Sequence, residues 1–166
     1  MAINEQLLSI NAINRDIILH KIIFILLLPL MFFQALRVKK NTPKLPEAAG
    51  ERRGCVGQGP AVSLLVLGDS AAAGVGVAQQ KNALSGTVSA GLSAHFAVSW
   101  QLIAKSGANT AQTLKMLTKR YELQPFRFDI VVVSLGVNDV LSPLSSREWS
   151  QQQLALIELL RQKVNC

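Results

Sequence analysis

The chain has 166 residues, a net charge of +7, 49% hydrophobic residues and only 16% charged residues. This length suits one domain, and so few charges exclude a disordered polar chain and indicate a lipid-facing segment. The excess positive charge is divided between the first 60 residues, at +4, and the remaining 106, at +3, and the chain has only nine aromatic residues. The sequence therefore does not indicate a clustered basic surface with aromatic side chains on which nucleotide bases could stack. No nucleic-acid partner is predicted.

The first predicted element is a hydrophobic helix over residues 17–36, preceded by an N-terminal flank, residues 1–16. The apolar run is interrupted only by His20, Lys21, Pro29 and Gln34. Twenty helical residues at about 1.5 Å each span about 30 Å, the thickness of a bilayer core, and a membrane helix tolerates one proline. The segment is therefore predicted to be a transmembrane or signal-anchor helix, and His20 an interfacial residue.

A cleaved signal peptide is the alternative for this segment. Cleavage needs small residues, and the bulky Phe33 occupies such a position in Phe33-Gln34-Ala35, which favours a retained anchor. Four basic residues follow the helix and two lie at or before its start, so positive-inside counting keeps the C-terminal part in the cytoplasm. A difference of two charges leaves the side of the membrane open.

A linker is predicted over residues 37–60, which combine Pro, Gly and charged residues without apolar periodicity. Cys55 lies in this segment and Cys166 is the last residue. A disulfide between them and two unrelated thiols are both open. The sequence has no metal-ligand spacing, so no metal is predicted.

The remaining segment, residues 61–166, is predicted to be an α/β domain. Three short apolar runs, Val62–Leu67, Ala97–Ala104 and Asp129–Leu135, alternate with helical stretches. Runs that are apolar on both faces are typical of buried parallel strands. This alternation predicts an open parallel sheet covered by helices, with any site beyond the carboxyl ends of the strands.

Two of the helices have clear sequence signals. Residues Thr110–Tyr121 place Leu114, Leu117 and Tyr121 at spacings of three and four. The tetrapeptide Ser145–Glu148 is a capping box ahead of a last helix whose apolar positions are Leu154, Ile157, Leu160 and Val164.

Each predicted strand ends in a polar turn that contains glycine: Gly68-Asp69-Ser70, Ser106–Thr110 and Gly136–Asp139. Ser70 is followed by small residues, so its hydroxyl can lie exposed near a helix N-terminus. Gly107 lets its N–H approach a ligand closely, and Asn138 can direct its amide NH₂ at the same oxygen. With the Ser70 N–H, these groups predict a three-donor oxyanion hole for acyl transfer.

These three turns resemble the sequence blocks of the SGNH, or GDSL, hydrolase family, and they cover residues 62–140. One departure is Ala71, where the family has leucine, and it affects packing rather than chemistry. The resemblance implies a flavodoxin-like three-layer α/β/α fold and a serine esterase that hydrolyses carboxylic esters through an acyl-serine intermediate. It assigns Ser70 as the nucleophile, with Gly107 and Asn138 in the oxyanion hole. Asp69 and Asp139 are expected to be structural turn residues that bind backbone N–H groups.

The family supplies its base with an Asp-x-x-His block, which is absent here, and the chain has only His20 and His95. His95 precedes the second strand at its amino end, so it is not expected to reach Ser70. Two explanations are open for the missing block: a truncated or frameshifted member, or a second chain that supplies it. The strand over residues 129–135 then forms an apolar sheet edge at which self-association is expected.

The sequence thus predicts a serine esterase that is impaired in this chain, with a small ester or acylated molecule as substrate. The alternative is a non-catalytic, membrane-tethered binding module or inactive fragment. No cofactor is predicted: Gly74-Val75-Gly76 resembles the start of a dinucleotide-binding loop, but Gln79 stands where the third glycine belongs.

Overall fold

The computed structural model describes residues 2–123 and 127–162, and the chain divides into two units, Met1–Lys44 and Leu45–Cys166. The first unit is one continuous helix, α1 (Ala2–Asn41), which passes through Pro29. Within it, Ile18–Val38 is a 21-residue stretch of mean hydropathy 2.0, none of it buried. This stretch is long and apolar enough to cross a membrane, and a signal sequence has the same features.

The second unit, here called the α/β unit, contains four strands and five helices in its described part. They are β1 (Arg53–Val56), β2 (Ala61–Gly68), α2 (Ser70–Ala73), α3 (Leu84–Leu92), β3 (Ala97–Ala104), α4 (Thr110–Leu123), β4 (Ile130–Ser134), α5 (Val137–Val140) and α6 (Ser146–Arg161). A short 3₁₀ turn at Gln80–Asn82 precedes α3. The three predicted strands are therefore present, within one residue of their predicted ends.

The strands form a single sheet in the order β1-β3-β2-β4. Strands β3 and β4 both run parallel to β2, which lies between them. Gly68 at the end of β2 pairs with Ala104 of β3 and with Ser134 of β4. The carboxyl ends of the three parallel strands are therefore level, and the chain leaves all three at the same edge of the sheet.

The sheet is mixed: the three predicted strands run parallel, and one further strand, β1, joins them at an edge. Strand β1 lies in the segment assigned to the linker and pairs antiparallel with β3. Ala48, in the same segment, is buried, and its N–H donates to the Ala73 carbonyl at 3.2 Å. The sequence of β1, Arg-Gly-Cys-Val, gives no apolar signal because backbone pairing at the sheet edge, rather than side-chain burial, fixes it.

The core consists of two apolar layers, one on each face of the sheet. Leu65 and Leu67 of β2 pack on one face with residues of α4 and α6, and Leu64 and Val66 pack on the other with residues of α2 and α3. All four of these side chains are fully buried. The burial of both faces explains why β2 reads as a continuous apolar run. The fold is thus the predicted three-layer α/β/α architecture.

Strand β4 forms the open edge of the described sheet, opposite β1. Its residue Val133 is 43% exposed. This is the edge at which the sequence predicts self-association. The helix that follows, α6, begins with the predicted capping box, in which Ser145 and Glu148 each accept a backbone N–H of the other. Val164, the last predicted apolar position of this helix, lies outside the described residues.

Candidate active site

The first turn carries Ser70 directly beyond the end of β2. Gly68 lies so close to β4 that a Cβ added to it would overlap the Ser134 carbonyl oxygen, and the Asp69 N–H donates to this oxygen at 3.1 Å. Ser70 is the half-buried first residue of α2, and its hydroxyl makes no hydrogen bond to any residue that the structure describes. The hydroxyl is therefore available to a ligand.

The second turn carries Gly107 beyond the end of β3. Gly107 has a φ of +79°, which favours glycine, and a Cβ there would meet nothing within 4 Å. The Lys105 N–H donates to the Gly68 carbonyl at 3.2 Å, which fastens this turn to the first one. The N–H groups of Gly107 and Ser70 donate to no acceptor within residues 2–123 and 127–162.

The third turn leads from β4 into α5 and carries Asn138. The Asn138 Nδ2 atom donates to the Ala108 carbonyl at 3.0 Å and to the Asp69 carboxylate at 3.3 Å. Ala108 follows Gly107 and Asp69 precedes Ser70, so the side chain of Asn138 joins the other two turns. The structure therefore brings the turns of Ser70, Gly107 and Asn138 together. Their chemical roles stay predictions.

The two aspartates are hydrogen-bond acceptors within this cluster of turns. Asp69 accepts the Ala71 N–H at 3.0 Å, the local turn contact that was predicted for it. Asp139 differs because its partner is distant in sequence: its buried carboxylate accepts the N–H of Thr110 at 3.0 Å and the Thr110 hydroxyl at 2.8 Å. Asp139 thus fixes the start of α4 against α5, as a structural residue.

Sequence reasoning missed Glu47, which holds the Gly107 turn from outside the predicted domain. One carboxylate oxygen of Glu47 accepts the N–H of Ser106 at 3.0 Å and its hydroxyl at 2.6 Å, and the other pairs with Arg52. Arg52 also donates to the Ala104 carbonyl at 2.7 Å. The hydrogen bonds from Ser106, above all that from its hydroxyl, and the nearby Arg52 charge hold the pKa of Glu47 below its usual value. A carboxylate in a polar segment gives no sequence signal for such a contact.

Replacing Glu47 by glutamine is expected to lower the free energy of unfolding by about 1 kcal/mol at neutral pH, because the pair is partly exposed. The folded-state pKa of Glu47 lies below the unfolded value, so its stabilising effect is present above that unfolded value and is lost as the pH falls through the folded one. Urea unfolding at pH 7 and pH 3, followed by tryptophan fluorescence, measures this. An equal difference between the two proteins at both pH values would contradict it.

The histidine of the α/β unit, His95, lies far from Ser70. His95 is exposed and precedes β3, whereas Ser70 follows β2, and these two strands are parallel and in register from Ala61 and Ala97 onwards. Eight strand residues at about 3.3 Å each put the two groups about 25 Å apart along the sheet. His20 lies in α1, in the other unit.

The described residues contain no group of three or more His, Cys, Asp or Glu side chains that could hold a metal ion. Cys55 is an exposed free thiol. Cys166, the other residue of the possible disulfide, lies outside the described residues.

Several solved structures share this fold. TesA, known from a crystal structure, is 23% identical in sequence to this chain, with a TM-score of 0.54. The match covers 61% of this chain and 57% of the TesA chain. AlinE4, described as an SGNH-hydrolase family esterase, is 27% identical, with a TM-score of 0.55 and coverages of 63% and 56%. The psychrotrophic esterase EstA from Pseudoalteromonas sp., inhibited by monoethylphosphonate, is 22% identical, with a TM-score of 0.51 and coverages of 61% and 54%. This chain thus spans little more than half the length of these structures.

A search of curated proteins found no match. The sequence model of the GDSL-like lipase/acylhydrolase family, by contrast, matches residues 66–165, well over half of the chain. That range includes all three turns that Asn138 and its hydrogen bonds hold together. The protein therefore belongs to the GDSL-like lipase/acylhydrolase family, whose solved SGNH-hydrolase members have its fold.

Proposed function

We propose that the chain carries a serine esterase site in which Ser70 is the nucleophile. Its hydroxyl attacks the carbonyl carbon of an ester, the alcohol leaves, and water releases the acid from the acyl-serine intermediate. The N–H groups of Ser70 and Gly107 and the amide of Asn138 stabilise the negative oxygen. The observation that carries this proposal is the Asn138 amide, which bonds to the neighbours of Ser70 and of Gly107.

The state of the three donors supports this role. The N–H groups of Ser70 and Gly107 have no acceptor within the described part of the chain, so a carbonyl oxygen could accept both without breaking a bond. Asn138 is engaged, and its bond to Asp69, at 3.3 Å, is longer than that to Ala108, at 3.0 Å. An incoming oxyanion would replace the longer bond, while the shorter one keeps the amide oriented.

Turnover by this chain is expected to be slow, because a serine hydroxyl is a weak nucleophile until a base accepts its proton. The 166 residues contain histidine only at positions 20 and 95; His95 lies at the opposite end of the parallel strands from Ser70, and His20 belongs to α1 in the other unit. Loss of a triad base costs orders of magnitude in rate.

A non-catalytic binding module is the second candidate, and the same placement of the histidines favours it. The donors of Ser70, Gly107 and Asn138 could hold an ester or acetyl carbonyl without any reaction. The apolar stretch Ile18–Val38 supports tethering of either form to a membrane, as a retained anchor.

Labelling with a fluorophosphonate probe tests the nucleophile and distinguishes the two candidates. The full chain in membranes is treated with the probe and, separately, with p-nitrophenyl acetate. We expect slow labelling that is lost in Ser70→Ala, with weak or no ester turnover. The matched control is Ser150→Ala, because Ser150 is an exposed serine of α6 that donates to the Ser146 carbonyl at 2.9 Å.

Unchanged labelling in Ser70→Ala, or none in the parent chain, would overturn the nucleophile assignment, and complete absence of labelling would favour the binding module. The same sample tests the anchor, since an anchored protein stays in the membrane pellet after a carbonate wash. Recovery of the protein in the supernatant, shortened at its N-terminus, would instead identify a cleaved signal peptide.

A further inference from the structure

The described α/β unit has an open groove of about 930 Å³, and the residues that line it do not include Ser70, Gly107 or Asn138. It lies between the last half of β3, one face of α4 and the segment that leads into β1. We propose that this groove binds an amphiphilic anion, meaning a negatively charged headgroup attached to a short aliphatic chain. The proposal does not depend on the chemistry of Ser70.

Positive charge dominates the described lining of the groove, which has five basic and two acidic side chains, a net charge of +3. Glu47 neutralises Arg52 through their ion pair. The other basic residues, Arg53, Lys105, Lys119 and Arg120, are exposed and form no ion pair with a described side chain, and Glu51 is the remaining acid. Converging charges of one sign in a cleft raise the local concentration of ligands of the other sign.

The floor of the groove is apolar. Ile103 of β3 is buried on the sheet face that packs against α4, and Met116 of α4 lines the groove beside it, whereas the side chains of Leu102 and Ala104 pack on the opposite face. Lys119 and Arg120 follow Met116 at helical spacings of three and four, so their charges lie along the same side of α4. Methionine adapts its shape to an aliphatic ligand, and lysine and arginine stems extend apolar contact below a charged head.

These features together favour a ligand with one charged headgroup and one aliphatic chain over a polyanionic ligand. A nucleic-acid strand needs rings on which bases stack, and none of the described residues that line the groove is aromatic. A volume of about 930 Å³ lies at the upper end of small-molecule sites. The residues that line the groove include Lys105, which precedes Ser106 in the Gly107 turn.

Hexyl phosphate is a suitable probe because it is short enough to stay in water. The full chain in phosphatidylcholine nanodiscs is titrated with it by calorimetry, with empty nanodiscs as the blank. Inorganic phosphate and hexanol form the two comparison arms. We expect saturable one-to-one binding of hexyl phosphate and at least about tenfold weaker binding of either comparison ligand, since each has only half of the recognised chemistry.

The variant Lys119→Glu/Arg120→Glu is expected to weaken hexyl phosphate binding at least about tenfold. The matched control, Arg147→Glu/Arg161→Glu, changes the net charge equally on exposed positions of α6 and should stay within about twofold. Met116→Ser should weaken the binding of hexyl phosphate but not that of inorganic phosphate. If the Lys119→Glu/Arg120→Glu variant unfolds, the milder Lys119→Gln/Arg120→Gln replaces it. Equal weakening in the α6 control, tight binding of phosphate alone, or no saturable binding would each overturn the proposal.

Discussion

Replacing Asn138 by alanine is expected to slow the labelling of Ser70 by a fluorophosphonate about 10²-fold to 10³-fold, the usual cost of removing one side-chain donor from an oxyanion hole. The probe develops negative charge on its phosphoryl oxygen as the serine attacks, so it needs the same donors as an ester. In a form of the chain supplied with a base, the same loss is expected in kcat for ester hydrolysis. The measurement is the rate of labelling under excess probe.

Asn109→Ala is the control for this prediction, since Asn109 lies in the Gly107 turn but contacts Gln112 and Ser142 rather than the first turn. We expect its labelling rate to stay close to that of the parent chain. The labelling rates of both variants are measured at a urea concentration well below the one at which each variant unfolds. An unchanged rate in Asn138→Ala would remove Asn138 from the mechanism and leave it as a structural link between turns.

Replacing Asp139 by alanine is expected to lower the free energy of unfolding by about 2 to 4 kcal/mol, the second large effect. The change leaves the N–H and the hydroxyl of Thr110 without the carboxylate that accepts their hydrogen bonds, and Thr110 is fully buried. It also removes a negative charge from the N-terminus of α4, where the helix dipole favours one. Both tryptophans, Trp100 and Trp149, lie in the α/β unit, so their fluorescence during urea unfolding reports on this unit.

Asp139→Asn separates the hydrogen bonds from the charge. It keeps one carbonyl oxygen for the Thr110 N–H, so we expect a loss of about 1 kcal/mol or slightly more. Glu158→Ala, an exposed change on α6, should have almost no effect. A loss below about 0.5 kcal/mol in Asp139→Ala would contradict the structural role and reopen Asp139 as a residue for chemistry.

The sequence was sufficient for the parts of the fold that depend on burial and local turns. Strand β3 has its predicted bounds, Ala97–Ala104, because most of its side chains are apolar and its last three residues are buried. The capping box at Ser145 could be predicted equally well, since its two residues are three positions apart in the sequence. The family resemblance also rested on short turns, each of which follows a strand.

The remaining features depend on contacts between residues far apart in the chain. Strand β1 is held by its backbone at the sheet edge, so its side chains show no pattern. Glu47 reaches Ser106 across 59 positions, and Asp139 reaches Thr110 across 29. Polar residues make such contacts only after the chain folds, and a polar residue in an irregular segment looks the same with or without a distant partner.

The position of the phosphoryl oxygen in the phosphonylated protein tests the account most directly. A crystal structure of the Ser70 adduct should place this oxygen within about 3.1 Å of the backbone nitrogens of Ser70 and Gly107 and of the Asn138 Nδ2 atom. That result would show that three turns, separate in sequence, serve one oxyanion. An adduct whose oxygen points away from Gly107 and Asn138, or one formed on another serine, would contradict the account.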